Sequence, residues 1–465
     1  MNLTGRHVLV LGLGESGLAA ACWCARQGAR LRVADTRAAP PYLEELLRRA
    51  TGAEFISGEF DKGLLDGIDL LVLSPGLSGG LMVVIHARAA GIPVVGEIEL
   101  FARALRGMGQ HVPVLAITGT NGKTTTTALT GHLLRATGKT VGVAGNISPA
   151  ALCALMDAQD ANVLPQIWVL ELSSFQLETT ATLNPLAATV LNISDDHLDR
   201  YIDLDEYASV KARIFQSGEG TPGVQVLNRG DARVRRMALA DRQVISFGLD
   251  APAAGEDFGL RQNRGEPWLV QGERFLLPVS ELPLAGLHNA ANAMAALALC
   301  ASVGFDANAL LPALRSFRGL PHRVEKVAEL DGVTWYDDSK GTNVGATVAA
   351  LNGLGGTGCK VVVVLGGDGK GQDFLPLKKA VARHARAAVL IGRDGPLIEK
   401  VIGAADVVIE TATDMEDAVR RAHVLAKAGD AVLLSPACAS FDMFRNYEHR
   451  AQVFVAAVRA LEARQ

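Results

Sequence analysis

No C-x-x-C pair and no His/Cys cluster at zinc spacing occurs among the six cysteines, so neither a disulfide scaffold nor a structural zinc site is expected. Reduced thiols and a cytoplasmic setting are. Charge of one sign is also missing: 45 basic against 49 acidic side chains leave a net charge of -4, which gives no footprint for nucleic acid or for an anionic membrane surface. No apolar run reaches the roughly 18 residues of a membrane helix. The opening run HVLVLGLG is broken by glycines and lacks a small-residue cleavage site, so it does not read as a signal peptide. Internal repeats and low-complexity tracts are absent as well.

What the chain has in abundance is glycine, 49 of 465 residues, in a background that is 49% hydrophobic. Many glycine turns between apolar runs suit an α/β protein, and the length suggests about three domains at roughly 150 residues each. The most informative stretch is Ile117 to Thr127, ITGTNGKTTTT, which follows the apolar run PVLA and precedes a helical pattern. Backbone N–H groups, a helix start and a lysine converge there, which suits a polyphosphate. The strict form G-x-x-x-x-G-K-[ST] is not met, because Ile117 stands where its first glycine belongs. Gly122, Lys123 and Thr124 keep the positions for close backbone approach, a charge on the terminal phosphates and a hydroxyl on magnesium.

Before this loop, from residue 6 to about 105, strand and helix patterns alternate in the rhythm of a parallel sheet. Gly12, Gly14 and Gly17 form G-x-G-x-x-G after the first strand, and Asp35 closes the second. That fingerprint serves any nucleotide diphosphate, a nicotinamide dinucleotide included. Ser74-Pro75-Gly76, at the end of a third predicted strand, borders the same crevice or is a plain turn. A linker is expected near Arg106 to Gln110, with His111-Val112-Pro113 opening the strand that feeds the phosphate loop.

Beyond it, the runs TVGVAGN, IWVLELSSFQLE and AATVLNISDDHLDRY read as strands whose ends converge on the phosphate site. Glu171 closes one, and Asp195, Asp196, His197 and Asp199 follow another, a set suited to magnesium at a triphosphate. Each has a plain alternative, Glu171 as a cap or surface carboxylate and His197 as a structural histidine. By composition Lys211 is a helix lysine on a solvated face. Residues 243 to 285 read as antiparallel ribbon, and GLHNAANAMAALALCASVGF as an alanine-rich helix whose early asparagines cap it or reach adenine. A second linker is expected at Gly319-Leu320-Pro321. The remainder alternates again, with Asp338-Ser339-Lys340, Lys370 and Ser440 after strands, where the lysines are the groups that could neutralise an acidic substrate.

The motifs GTNGKTT, LELSSFQLE, NISDDHLDRY, GLHNAANAMAA, GLPHR, DDSKGTN, GGDGKG and SPACASFD occur in that order. Together they make the chain resemble the Mur ligase family over essentially its whole length. GTNGKTT and the asparagine-rich helix are shared across the superfamily with folylpolyglutamate synthases, whereas DTR, LELSSFQLE and SPACASFDMF point to the glutamate-adding branch. The resemblance implies three α/β domains: a Rossmann-like UDP-binding domain (1–108), a central P-loop-type ATPase domain with a mostly parallel sheet (109–318), and a Rossmann-like glutamate-binding domain (319–465). It implies an ATP-dependent, cytoplasmic amide ligase that joins D-glutamate to UDP-N-acetylmuramoyl-L-alanine through an acyl phosphate.

By that resemblance ATP and Mg2+ are needed, and Gly119, Thr120, Asn121, Gly122, Lys123, Thr124 and Thr125 cradle the phosphates. Asn289, Asn292, Arg323 and Asp338 also contact ATP. Thr124, Glu171, His197 and Lys211 hold metal, with Lys211 carbamylated, which reverses the surface role that composition suggests. Glu15, Ser16, Asp35, Thr36, Arg37, Pro75, Gly76 and Asn146 take the UDP-substrate. Lys340, Thr342, Lys370, Ser440 and Tyr447 receive glutamate. At Glu15 and Tyr447 the chain departs from the loop residue and the phenylalanine of some members. A monomer is expected, with the third domain closing over the cleft. Two alternatives stand: another Mur-type or folylpolyglutamate-type ligase, and, outside the class, an NAD-dependent oxidoreductase built on Gly12, Gly14, Gly17 and Asp35. A folate ligase would not need the first domain, and an oxidoreductase would leave the phosphate loop unexplained.

Overall fold

In the computed structural model, residues 2–109, 112–197, 200–216, 222–284, 286–355, 359–403 and 407–462 are described. The fold is α/β, with three sheets in chain order. The first contains β1 (His7–Leu11), β2 (Arg30–Asp35), β3 (Glu54–Ser57), β4 (Leu70–Leu73) and β5 (Val94–Val95). All its pairings are parallel, in the order β3-β2-β1-β4-β5. Helices α1 (Glu15–Arg26), α2 (Leu43–Arg49), α3 (Met82–Ala89) and α4 (Glu97–Gly107) connect and flank the strands. Strand β1 is buried throughout because its side chains alternate between two cores. Val8 and Val10 join the one that includes α1, and Leu9 and Leu11 the one that includes α3.

The second sheet has nine strands in the order β14-β13-β12-β11-β10-β9-β6-β8-β7. They are β6 (Val114–Thr118), β7 (Val141–Gly145), β8 (Ile167–Glu171), β9 (Ala187–Val190), β10 (Val224–Asn228), β11 (Val244–Phe247), β12 (Phe258–Asn263), β13 (Glu266–Gln271) and β14 (Arg274–Pro278). Its helices are α5 (Lys123–Ala136), α6 (Ala151–Asp160), α7 (Ser174–Leu177), α8 (Leu204–Ala212), α9 (Ala232–Arg235), α10 (Leu287–Ala301) and α11 (Ala307–Ser316). Strand β6 lies between β8 and β9, with Ile117 level with both Glu171 and Thr189. The phosphate loop therefore leaves the sheet between the ends of the two strands whose polar residues were expected beside it.

The third sheet has the order β15-β16-β20-β17-β18-β19, all parallel except the hairpin β15–β16. Its strands are β15 (Glu325–Leu330), β16 (Val333–Asp337), β17 (Val361–Gly366), β18 (Ala385–Ile391), β19 (Val408–Thr411) and β20 (Ala431–Leu434). The helices are α12 (Val344–Gly355), α13 (Leu375–His384), α14 (Gly395–Ile402), α15 (Met415–Leu425) and α16 (Tyr447–Glu462).

Four sequence expectations need correction. Arg106 and Gly107 are not a linker but the last turn of α4, whose inward face packs Phe101 edge-on against Trp168 of β8 at 5.1 Å. Gln110 and His111 lie outside the described residues. One apolar cluster consequently runs from β1 and α1 through α4 to α6 and β8, so the first two sheets share a core. Ser74-Pro75-Gly76 follows the fourth strand rather than the third, since β3 is mostly exposed or half-buried and carries no clear apolar alternation. The strand in IWVLELSSFQLE stops at Glu171, because Ser173 and Gln176 form a reciprocal capping box that starts α7. Within residues 243–285, β11 pairs in parallel with β10, and only β12, β13 and β14 make the antiparallel ribbon.

Candidate active site

Gly122 caps α5 in the left-handed region, at φ +84°, and a Cβ there would lie 2.4 Å from Asn292 Oδ1. Glycine is thus required both by conformation and by the approach of α10. The loop is shaped from behind by Asn192, which sequence reasoning passed over: its Oδ1 accepts from Asn121 N at 2.8 Å and its Nδ2 donates to Asn121 O at 3.0 Å. Thr120 Oγ1 meanwhile accepts from Ser194 N at 3.0 Å. Lys123 Nζ donates to the carbonyls of Gly119 and Thr120 at 2.9 and 2.8 Å. Burial lowers its pKa, while Glu171 and Asp196 act to raise it. The ammonium is therefore held in place at the start of α5, where the helix dipole already favours an anion.

Glu171 is buried at the end of β8. Its Oε1 accepts from Asn146 Nδ2 at 2.8 Å, and its Oε2 has no hydrogen-bond partner among the described residues. An orphaned, buried carboxylate oxygen calls for a cation. His197 sits at φ +57°, with Nε2 3.6 Å from Asp196 Oδ2 and its ring 4.7 Å from that of Phe175. Asp199 lies outside the described residues. Glu171, Asp196 and His197 do not draw their ligand atoms into one tight cluster. Among the described residues the group that does so is His322, Glu325 and Asp337, whose ligand atoms lie within 4.8 Å. Internal hydrogen bonds already use it: His322 Nδ1 to Asp337 Oδ2 at 2.6 Å and His322 N to Glu325 Oε2 at 2.9 Å.

The solvated face expected for Lys211 from composition is wrong. Its side chain is 1% exposed, with Nζ 3.3 Å from Thr118 Oγ1 and 4.6 Å from the centre of the Tyr207 ring. The helix pattern showed a lysine among polar neighbours; it did not show that this face of α8 turns inward beneath β6. Burial, with Lys123 adding to it, lowers the amine's pKa well below the ordinary lysine value.

Across the cleft, the segment between α11 and β15 presents Arg323. Its neighbours His322 and Val324 both have positive φ, +62° and +49°, an unusual backbone for non-glycine residues. Arg323 NH2 donates to Thr124 Oγ1 at 2.7 Å, and Asn343 Nδ2 donates to Asn121 Oδ1 at 3.2 Å. Lysines are thus not the sole basic groups facing the substrate. Lys340 Nζ lies 3.7 Å over the Tyr447 ring, and burial and then Arg323 lower its pKa. A cleft of about 510 Å³ is lined by Thr120 to Thr124, Asn146, Glu171, Asp196, His322, Arg323, Lys340, Thr342 and Tyr447. Beside it, a smaller cavity of about 70 Å³ is lined by Asn121, Gly122, Thr125, His288, Asn289, Asn292, Arg323, Asp338 and one face of α12. Burial pushes the Asp338 carboxyl up to about 7, against the hydrogen bond from Ser435 Oγ at 2.6 Å.

Two predicted glutamate contacts are not in that lining. Ser440 is 3% exposed, and Lys370 is exposed, in the left-handed region at φ +51°, its N–H donating to Asp368 Oδ1 at 2.9 Å. In the first unit, the crevice where strand order reverses lies between the ends of β1 and β4. Gly17 packs on Gly12 so closely that a Cβ would lie 1.9 Å from Gly12 O. Asp35 accepts from Leu13 N, and from Arg37 through its N, Nε and NH2, at 2.7 to 2.9 Å, which pulls the carboxyl down to about 2. No free acceptor is left for a cofactor ribose, so the dinucleotide fingerprint lacks its acidic partner. Glu15 reaches the second unit: its Oε1 accepts from Ser148 Oγ, a residue of the cleft lining, at 2.7 Å and from Ala150 N at 3.1 Å, at the start of α6.

Comparison with known proteins agrees with this geometry. Family models match in sequence: Mur ligase MurD-like, N-terminal domain, over residues 6–96; Mur ligase middle domain over 117–300; and Mur ligase, glutamate ligase domain, over 322–438. Proteins named UDP-N-acetylmuramoylalanine--D-glutamate ligase from Aromatoleum aromaticum and Nitrosomonas europaea are 60% and 53% identical. Each match covers 99% of this chain and 98% of the relative. Among solved structures, the UDP-N-acetylmuramate-alanine ligase MurC of Thermotoga maritima shares the fold, with TM-score 0.59 at 19% identity over 98% of this chain and 99% of that one. A folylpolyglutamate synthase of Mycobacterium tuberculosis does so with TM-score 0.55, over 78% of this chain and 94% of its own.

Proposed function

The chain belongs to the Mur ligase family, and from that premise we propose that it is the ATP-dependent ligase that adds D-glutamate to UDP-N-acetylmuramoyl-L-alanine, a cytoplasmic step of peptidoglycan precursor synthesis. We assign residues 1–108 to the UDP-substrate, 109–318 to ATP and 319–465 to glutamate, and expect the enzyme to act as a monomer.

The terminal carboxylate of the UDP-substrate attacks the γ-phosphorus of ATP, and ADP leaves. The free amine of D-glutamate attacks the resulting acyl phosphate, and the tetrahedral intermediate expels inorganic phosphate with release of a proton. Both steps bring negative charge together, so neutralisation by fixed cations dominates catalysis. Lys123 sits where the β- and γ-phosphates would lie, backed by the N–H groups at the start of α5. Arg323 reaches the same place from the opposite wall. Asn289, Asn292 and Asp338 line the smaller cavity, which is placed for the nucleoside. Lys340, Thr342 and Tyr447 flank the end of the cleft assigned to glutamate, and Lys370 and Ser440, on the same unit, would complete the glutamate site. Ser16, Thr36, Arg37, Pro75 and Gly76 would face UDP, and Asn146 the muramoyl part. Asp35 and Glu15 would act by holding Arg37 and the start of α6 rather than by touching UDP.

Magnesium fits the donors present: the Thr124 hydroxyl and the unpartnered oxygen of Glu171 would hold one ion, and His197 would help to hold a second. Bound there, it would draw charge from the phosphate oxygens. The buried Lys211 amine, kept toward its neutral form, is suited to add to carbon dioxide. That forms an N–C bond, releases a proton and would turn the side chain into an anionic carbamate able to hold metal.

The observation that carries this reading is the meeting of Lys123, Glu171 and Arg323 in one cleft that also opens on Asn146, Lys340 and Tyr447. Phosphate release should require ATP, Mg2+, UDP-N-acetylmuramoyl-L-alanine and D-glutamate together. Equal release without the UDP-substrate would refute it.

A further inference from the structure

The segment that carries His197 also carries Arg200, whose side chain crosses to the first unit. Arg200 NH1 donates to Pro75 O at 3.2 Å and NH2 donates to Leu77 O at 3.0 Å. Its Nε and NH2 also form a bidentate pair with Glu178, at 3.1 and 2.6 Å, and Tyr201 OH donates to the same carboxylate at 2.7 Å. The guanidinium lies 4.1 Å over the Phe175 ring, which also neighbours the rings of His197 at 4.7 Å and Tyr201 at 6.2 Å. With side chains 14% and 20% exposed, Arg200 and Glu178 form a half-buried pair whose geometry is over-determined.

We propose that Arg200 is a positioning residue, which fixes the loop Ser74–Leu77 against the UDP-substrate from the nucleotide side of the cleft. The proposal rests on the assignment of the first unit to that substrate. Pro75 cannot donate through its own nitrogen, and the loop spans β4 and α3, so its carbonyls are available as anchors. Two backbone carbonyls in one loop match a planar fork that presents several N–H groups at once. A lysine has a single nitrogen and cannot hold both carbonyls and Glu178 with the same geometry. Because Arg200 N donates to His197 O at 2.9 Å, the anchor is tied through the backbone to the residue assigned to metal. The UDP-facing loop is thereby set relative to the phosphate site, not only relative to its own sheet.

The test is steady-state kinetics of Arg200→Ala and Arg200→Lys, varying each substrate in turn, with thermal shifts of the same proteins under ATP and under the UDP-substrate. In Arg200→Ala, KM for UDP-N-acetylmuramoyl-L-alanine should rise by roughly tenfold or more, the effect of losing about one or two charge-assisted hydrogen bonds. The KM values for ATP and D-glutamate should stay within about twofold, and Arg200→Lys should recover part of the loss. The thermal shift given by the UDP-substrate should shrink while that given by ATP persists. If Arg200→Ala does not fold, the same two shifts read on Arg200→Lys carry the test. An unchanged KM for the UDP-substrate in a folded variant overturns the proposal, as do equal rises for all three substrates. Failure of the unsubstituted enzyme to turn over the UDP-substrate would instead overturn the assignment beneath it.

Discussion

Glu171 is the most deeply buried anion beside the phosphate loop, and its second oxygen has no hydrogen-bond partner among the described residues. Glu171→Gln keeps the shape and removes the charge, so kcat should fall by roughly 100-fold or more while the fold persists. The apparent Mg2+ requirement should rise at the same time; an unaltered magnesium dependence would remove Glu171 from the metal site. For Lys211, bicarbonate-depleted buffer should lower the activity and added bicarbonate should restore it, with Lys211→Arg inactive under both conditions. Activity indifferent to bicarbonate would argue against the carbamate. Glu97 supplies a pH test away from the chemistry. It is buried between α4 and α6, its Oε1 accepts from Leu152 N at 2.6 Å, and desolvation pushes its carboxyl up to about 7. A raised carboxyl pKa means that the native state holds its proton where the unfolded chain has lost it, so stability falls as pH rises from about 4.5 to about 7 and then levels. Glu97→Gln removes the ionisation. Its stability relative to the parent should climb across that window, toward a gain on the order of 3 kcal/mol above pH 7, read as a rising difference in melting temperature. A difference independent of pH would show that Glu97 does not titrate there.

At the scale of elements, the strand-loop-helix unit β6–α5 is where local sequence and tertiary placement agree. Gly122→Ala would add a Cβ 2.4 Å from Asn292 Oδ1 at a left-handed backbone. The strain is on the order of 1–3 kcal/mol, and ATP affinity should drop by roughly tenfold or more with secondary structure retained by circular dichroism. Normal ATP affinity would mean that α10 does not hold the loop. This unit was legible because glycine, lysine and threonine stand at fixed offsets after an apolar strand. Glu171 was legible as a strand-end residue for the same reason, whereas His197 lies well beyond the end of β9 at Val190. The long-range partners were not legible. Asn192 brackets Asn121 across 71 positions, Arg323 meets Thr124 across 199 and Arg200 meets Pro75 across 125, distances at which no periodicity operates. Lys211 was missed by pattern because α8 is amphipathic only weakly, and its buried face became visible only when packed under β6. Helix α4 was read as a linker at its end because Gly107 and Gly109 suggest a turn, whereas packing of Phe101 on Trp168 extends the helix.

At the scale of the whole molecule, the first two sheets share a core, whereas the junction to the third combines the bridges Arg323–Thr124 and Asn343–Asn121 with packing of His288 of α10 against Gly353 of α12. The third unit is therefore the one expected to move. Small-angle scattering should show a more compact particle with a non-hydrolysable ATP analogue and the UDP-substrate than without them, and Arg323→Ala should reduce the difference. Identical profiles would count against closure. The central claim, that one cleft joins D-glutamate to a UDP-linked muramoyl-alanine at the expense of ATP, is tested most directly by the mass of the product. Incubation of the purified protein with ATP, Mg2+, UDP-N-acetylmuramoyl-L-alanine and either D- or L-glutamate should yield UDP-N-acetylmuramoyl-L-alanyl-D-glutamate with the D isomer and no adduct with the L isomer. No glutamyl adduct with either isomer, or an adduct formed without consumption of ATP, would contradict it.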